Sequence, residues 1–260
     1  MTEGFLSAVA LSGVVDRLRV AGCVFAEDEA GLLVAASGSP EELAELVDRR
    51  VAGLPLEQVL GWAEFCGLRI AIDPGVFVPR RRTEFLVAEA AALTRSGTVV
   101  VDLCCGSGAI SAALAAAVPG IEVHAADVDP AAVSCARRNL PAGQVHEGDL
   151  FDALPPVLRN RVAVLVANVP YVPTDAIALM PPEAREHEPR VALDGGDDGL
   201  DVARRVIAAA PGWLAPGGSL LFETGEQQAS AAVAAVRAGG LAARVASDDE
   251  LGATVVVGTR

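Results

Sequence analysis

Four short segments of this 260-residue chain hold residues whose types and spacing suit chemistry on a small ligand. The first is Val99-Val100-Val101-Asp102-Leu103-Cys104-Cys105-Gly106-Ser107-Gly108, an apolar run that ends in an acid and opens through small residues into an Ala-rich stretch. Glycine in such a loop permits a tight turn and lets a ligand approach the backbone with no Cβ in the way. The second, His124-Ala125-Ala126-Asp127-Val128-Asp129-Pro130, places an acid at the end of the next apolar run. A carboxylate there accepts hydrogen bonds from both hydroxyls of a ribose, so the two segments together specify an adenosine-type ligand. In the third, Val145-His146-Glu147-Gly148-Asp149-Leu150, Asp149 is either a turn acid or the acceptor of an adenine exocyclic amine, with Leu150 packing on the ring. NAD stays open on these grounds alone. Against it, Cys104 stands where a dinucleotide fingerprint needs its first glycine, and Ile110 or Ser111 where it needs its third.

The fourth segment is Asn168-Val169-Pro170-Tyr171, following the apolar run 162–167. The Asn side-chain carbonyl and the backbone carbonyl of the next residue can accept both N–H bonds of an –NH2 group, and Tyr171 can stack on a planar π-system. That arrangement suits an amide or a nucleobase amine better than a hydroxyl or a carboxylate. No general base is obligatory, and His124, His146 and His187 read as surface or strand-end residues. The one short basic run, Arg80-Arg81-Arg82, reads equally as a solvated loop or as a device that positions an acceptor.

Helical spacing of apolar residues covers 5–22 and 40–52, the latter opening with Ser39-Pro40-Glu41-Glu42 as an N-cap, a first-turn proline and first-turn acids. Short extended runs follow at 64–72 and 75–78, as in a hairpin connector. From there strand and helix alternate. Strands are expected at 98–103, 122–126, 144–147, 162–167 and 219–223, with helices at 109–117, 130–139, 200–210 and 227–238, and a closing pair of strands at 242–247 and 253–258. The alternation predicts an α/β fold with a doubly wound, mostly parallel sheet, and the closing pair predicts one antiparallel strand. The division expected is a small helical domain with its hairpin linker over 1–75 and a ligand-binding domain over 76–260.

Composition bounds the possibilities. Apolar residues make up 52% of the chain but aromatics only 4%, so the core is built from Ala, Val and Leu. The formal net charge is −14 and no lysine occurs, which disfavours sequence-independent nucleic-acid binding. Five scattered cysteines lack zinc spacing, so neither a metal nor a disulfide framework is expected. No signal peptide or membrane span is legible, and a cytoplasmic protein is expected.

The order D-x-x-x-G-x-G, then D, then G-D resembles the S-adenosylmethionine methyltransferases of the Rossmann-like class I. Asn168 to Tyr171 resembles the N-P-P-Y tetrapeptide of amino methyltransferases. Gln58-Val59-Leu60-Gly61, Phe77 to Glu84 and Glu188 to Leu200 are similar to segments of the HemK-type protein-(glutamine N(5)) methyltransferases. The resemblance implies S-adenosyl-L-methionine as cofactor, S-adenosyl-L-homocysteine as product, and a glutamine side-chain amide of a protein as acceptor. A small-molecule amide or amine and an N(6)-adenine of nucleic acid are the alternatives. It assigns cofactor contact to Asp102, Cys104, Cys105, Gly106, Ser107, Gly108, Asp127, Asp149, Leu150 and Asn168, acceptor contact to Asn168, Val169, Pro170 and Tyr171, and pocket or lid positions to Phe77 and Glu84. Two departures stand out: Val169 replaces the first proline of N-P-P-Y, and Arg81 a proline of the P-R-P-x-T-E segment. A related subgroup carries N-V-P-Y.

Overall fold

The structure, a computed structural model, describes residues 8–260. Four helices come first: α1 (Ala8–Val20), α2 (Ala26–Ala36), α3 (Pro40–Val51) and α4 (Leu56–Leu60). They enclose a core of their own around Leu18, Leu33, Leu43, Val47 and Val59. The part of the expected first helix before residue 8 lies outside the described residues. α3 begins as its sequence dictates, with the Ser39 hydroxyl accepting a hydrogen bond from Glu42 N at 3.1 Å, a cap that contributes about 1 kcal/mol. α2 escaped the periodicity argument because its buried face is made of Ala26, Ala30 and Leu33, too small a stripe to stand out. It is fixed to α3 by a buried two-point ion pair, Arg50 Nε and Nη2 donating to the Glu29 carboxylate at 2.6 and 3.1 Å.

A hairpin follows, β1 (Trp62–Phe65) against β2 (Leu68–Ala71). Its Ala63, Phe65 and Ile70 pack with the helices beyond it rather than with the bundle. Residues 75–78 were expected to be extended, and they form no strand. Side chains hold this connector instead: Gln58 Nε2 donates to Val76 O at 3.1 Å, and Val78 N donates to Glu188 Oε1 at 3.2 Å.

The remainder runs α5 (Thr83–Leu93), β3 (Val99–Leu103), α6 (Ala109–Ala117), β4 (Glu122–Asp127), α7 (Pro130–Asn139), β5 (Gln144–Glu147), β6 (Val162–Ala167), α8 (Pro182–His187), α9 (Asp201–Ala209), β7 (Leu214–Glu223), α10 (Ala229–Ala238), β8 (Ala242–Asp248) and β9 (Ala253–Thr259). Seven strands form one sheet in the order β5-β4-β3-β6-β7-β9-β8, parallel except that β9 runs antiparallel to both neighbours. The antiparallel strand is therefore one place in from the edge. Alternation along the strands sends Val101, Leu103, Leu165 and Phe222 toward α9 and α10, and Val100, Val164, Val166 and Leu221 toward α5 and α6. Both faces are covered, which is why the strands read as unbroken apolar runs.

Strand order reverses between β3 and β6. In an open α/β sheet the carboxyl ends at such a reversal leave a crevice for a ligand. The chain ends β4, β6 and β7 there with Asp127, the turn at Asn168, and Glu223, and it opens the loop Cys104 to Gly108 from β3 at the same end.

Candidate active site

Two adjoining clefts, of about 830 and 640 Å³, lie at this end of the sheet and share Phe77, Cys104, Gly106, Asp127, Pro170 and Ala192. The loop after β3 forms the floor. Gly106 has φ +54°, and a Cβ built on it would meet nothing within 4 Å, so its backbone faces open space. Cys104 and Leu150 also hold positive φ, 56° and 49°, a conformation that costs a non-glycine residue roughly 1 kcal/mol. Both line a cleft. Asp127 latches the loop: its Oδ2 accepts from Gly106 N at 2.8 Å and its Oδ1 from Asp129 N at 2.9 Å. Each carboxylate oxygen accepts more than one hydrogen bond, so capacity for two ribose hydroxyls remains. Burial pushes this carboxyl above its usual value.

Asp149 and Leu150 line the smaller cleft beside Val128 and Val202. Arg205 Nη2 donates to Asp149 Oδ2 at 2.6 Å. Asp102 lies below the loop, fully buried, with Oδ2 accepting from Ser111 N and Ser111 Oγ at 3.2 and 2.8 Å and Oδ1 without a partner. Burial raises its pKa to about 7. The Cys104 and Cys105 thiols are likewise raised by burial, which keeps them protonated and inert as nucleophiles. The open backbone at Gly106, the latched acid at Asp127 and the apolar slot beside Leu150 fit an adenosine moiety, with Cys104 to Ser107, Asp127, Asp149 and Leu150 as the residues that would hold it; Asp102, buried beneath the loop, lines neither cleft.

Asn168, Val169, Pro170 and Tyr171 line the larger cleft next to Cys105, Gly106 and Ser107. Among the described residues none hydrogen-bonds the Asn168 side chain, so its amide is available to a ligand. The backbone of 171–172 is clamped from behind. Val172 N donates to Leu193 O at 3.1 Å, Gly195 N to Val172 O at 2.9 Å, and Gln228 Nε2 to Tyr171 O at 2.9 Å. Gly199 closes the clamp: at φ +77° a Cβ on it would stand 2.2 Å from Tyr171 O, so no larger residue fits. The segment Glu188 to Leu200 thus serves the site through the backbone of 171–172. Glu188, buried, also accepts from Arg80 Nη2 at 2.6 Å, tying Met180, Ala192 and Leu193 over the cleft.

Several expected residues stand elsewhere. Glu84 lines neither cleft; its Oε1 accepts from Cys66 N at 2.9 Å, joining α5 to the hairpin. Gly108 turns away from the cleft toward Leu140 and Ala136 of the α7 side. His124 is buried within β4 rather than at the surface, with Nδ1 3.1 Å from His146 Nε2 and Nε2 3.0 Å from Glu122 Oε1, remote from both clefts. Among the cleft residues that carried no expectation of their own are Thr83, Ile110 and Glu223. A signal for Glu223 existed, since Leu220-Leu221-Phe222-Glu223 is an apolar strand ending in an acid, as β4 ends in Asp127. Among the described residues no His, Cys, Asp and Glu cluster has metal-site geometry, and no helix is long and apolar enough to cross a membrane.

Comparison with known proteins agrees with this geometry. The methyltransferase small domain family matches residues 67–180. The release factor glutamine methyltransferase of Geobacter sulfurreducens is 40% identical over 229 residues, 85% of this chain and 80% of that protein. The 4-amino-L-phenylalanine/4-methylamino-L-phenylalanine methyltransferase of Streptomyces pristinaespiralis is 39% identical over 210 residues, 77% of this chain and 71% of that protein. Among solved structures, a methyltransferase from Pyrococcus furiosus superposes with a TM-score of 0.57 at 15% identity, over 83% of this chain and 98% of that one, which supports the fold.

Proposed function

The chain belongs to the HemK-type family of release factor glutamine methyltransferases, and on that premise we propose that it methylates the side-chain amide of a glutamine in a protein, at the cleft between Gly106 and Tyr171. The observation that carries the reading is the placement of Asn168 to Tyr171 in the same cleft as the loop residues 104–107. S-adenosylmethionine, when bound, supplies an electrophilic methyl group. The chain's own part is orientation: Asn168 Oδ1 and the carbonyl of Val169 take the two N–H bonds of the acceptor, and Tyr171 holds its plane. With the cofactor bound, the acceptor nitrogen held in line by Asn168 and the Val169 carbonyl would take the methyl group, the thioether leaving with the bonding pair, and would give one proton to water.

A second reading has one specific support, the similarity to the 4-amino-L-phenylalanine methyltransferase, whose name describes a planar amine on a small molecule. Tritiated S-adenosylmethionine distinguishes the readings when added, with the purified protein, to a lysate from cells lacking it. Label recovered on glutamine of a protein is the expected result. Label confined to small molecules favours the second reading, and label in nucleic acid overturns both.

A further inference from the structure

Behind Tyr171 lies a polar wall that the reaction outlined above does not use. Tyr171 is the chain's single tyrosine. Its hydroxyl donates to Glu223 Oε1 at 2.6 Å and accepts from Arg82 Nη2 at 2.5 Å. Arg82 Nε donates to the same Oε1 at 2.7 Å, and Thr83 Oγ1 donates to Glu223 Oε2 at 2.7 Å. The Glu223 side chain is only 3% exposed, whereas that of Arg82 is 45% exposed and faces the mouth of the cleft. Three segments far apart in sequence thus meet on one buried carboxylate.

Two carbonyl acceptors fix the position of an –NH2 nitrogen but leave the molecule free to rock about the line joining them. The face of a ring stops that rocking only if the ring is itself held. A tyrosine swings about its first side-chain torsion unless its far end is anchored, and here the anchor is Glu223. Burial, and after it the charge of Glu223, push the phenol above the ordinary tyrosine value, so it remains a hydrogen-bond donor. Arg82 balances the carboxylate, so the wall behind the acceptor is neutral overall and an uncompensated buried charge is avoided.

We propose that Glu223 is a positioning residue for methyl transfer: by anchoring the Tyr171 hydroxyl, with Thr83 and Arg82 completing its shell, it sets the angle at which the ring faces the acceptor plane. This rests on the planar –NH2 acceptor reading. A misplacement of about 1 Å costs on the order of 100-fold in rate, so loss of the anchor acts on turnover more than on binding.

The test compares Glu223→Gln and Tyr171→Phe, singly and together, with a glutamine-bearing peptide as acceptor. Tyr171→Phe removes only the hydroxyl and guards against a folding defect in Glu223→Gln. Each single variant is expected to lose about 10- to 100-fold in kcat, with KM and cofactor Kd within about threefold of the parent, and the double variant to lose no more than either alone. Because Tyr171 stands alone, the tyrosine doublet in the ultraviolet resonance Raman spectrum reports its hydrogen bonding directly, and Glu223→Gln should change it without any acceptor present. The proposal is overturned if kcat of either single variant stays within about twofold of the parent, if the two losses multiply, or if cofactor affinity and melting temperature fall in step with kcat. Should the parent itself leave the glutamine peptide unmethylated, the amide reading fails, and the Raman change still decides whether the anchor exists.

Discussion

The two ends of the cleft hold their ligand groups by different means. At the cofactor end the groups come from three successive turns at the carboxyl ends of β3, β4 and β5: the loop 104–107, Asp127, which latches Gly106 N, and Asp149 with Leu150. At the acceptor end the groups converge from residues 82–83, 168–171, 193–199 and 223–228, joined by side-chain hydrogen bonds such as Tyr171 to Glu223 and Gln228 to the Tyr171 carbonyl. A site built from successive turns along one half of the sheet rests mainly on its own backbone and acids. A site assembled from four segments can be retuned at any of them without disturbing the first.

If the two ends are separable, Asn168→Ala must abolish transfer while leaving the cofactor end intact. Removing one of two acceptors of the –NH2 group is expected to lower kcat/KM on the order of 1000-fold, since both positioning and nitrogen orientation depend on it. Calorimetry should find cofactor affinity within a few-fold of the parent. Affinity lost in proportion to rate would mean that Asn168 serves the cofactor end as well.

The converse test is Asp127→Asn. It exchanges a carboxylate for an amide that can take only part of the ribose and Gly106 contacts, and hydrogen bonds to charged groups contribute about 1.5–3 kcal/mol each. Cofactor Kd should rise by about 10- to 100-fold, with kcat at saturating cofactor nearly unchanged. A fall in kcat at saturation would join the two ends and break the comparison.

The same contrast explains what could be read from the sequence. Strands 144–147 and 162–167 and helices 109–117 and 130–139 have the bounds their patterns imply, because each is a local run with its own signal. The loop 104–107, Asp127 and Asn168 to Tyr171 carry local signals too, and all line one cleft or its neighbour, whereas Gly108 faces Ala136 and Leu140. Glu84 was misplaced because a helix-start acid near a motif looks the same whether it faces a pocket or a hairpin amide. Thr83 and Glu223 were missed because the partner that gives each its meaning is 140 residues away. The expected strand at 75–78 failed for the same reason, its hydrogen bonds going to Gln58 and Glu188 side chains.

Asp102 offers a third measurement at the cofactor end. Burial lifts its pKa from 3.8 to about 7, so between those values the folded chain binds a proton that the unfolded chain has released. Stability from this group is full below about pH 4 and is lost as pH rises toward 7, with a slope of up to about 1.4 kcal/mol per pH unit. Asp102→Asn, which keeps an oxygen for Ser111, should remove that slope. Urea midpoints measured at pH 5 and pH 8 should fall with pH in the parent more than in the variant; parallel slopes would mean the acid is ionised throughout.

The smallest effect is expected at the residue that departs from N-P-P-Y. Val169 is 2% exposed and packs into the core beneath β6, and what it lends the acceptor is its carbonyl. Proline at this position would keep that carbonyl and fix φ near −65°, at the cost of some apolar contact from the smaller buried side chain. Among the described residues the Val169 amide finds no backbone partner outside regular strands, so the lost N–H is not needed there. Val169→Pro should therefore leave kcat/KM within about threefold and lower the melting temperature slightly. A gain well beyond threefold would mean that backbone rigidity at 169 limits turnover. A large loss with cofactor affinity intact would instead place the valine side chain in the acceptor pocket as a shaping group, and the acceptor end would then be adjustable at its carbonyl clamp as well as at its anchored tyrosine.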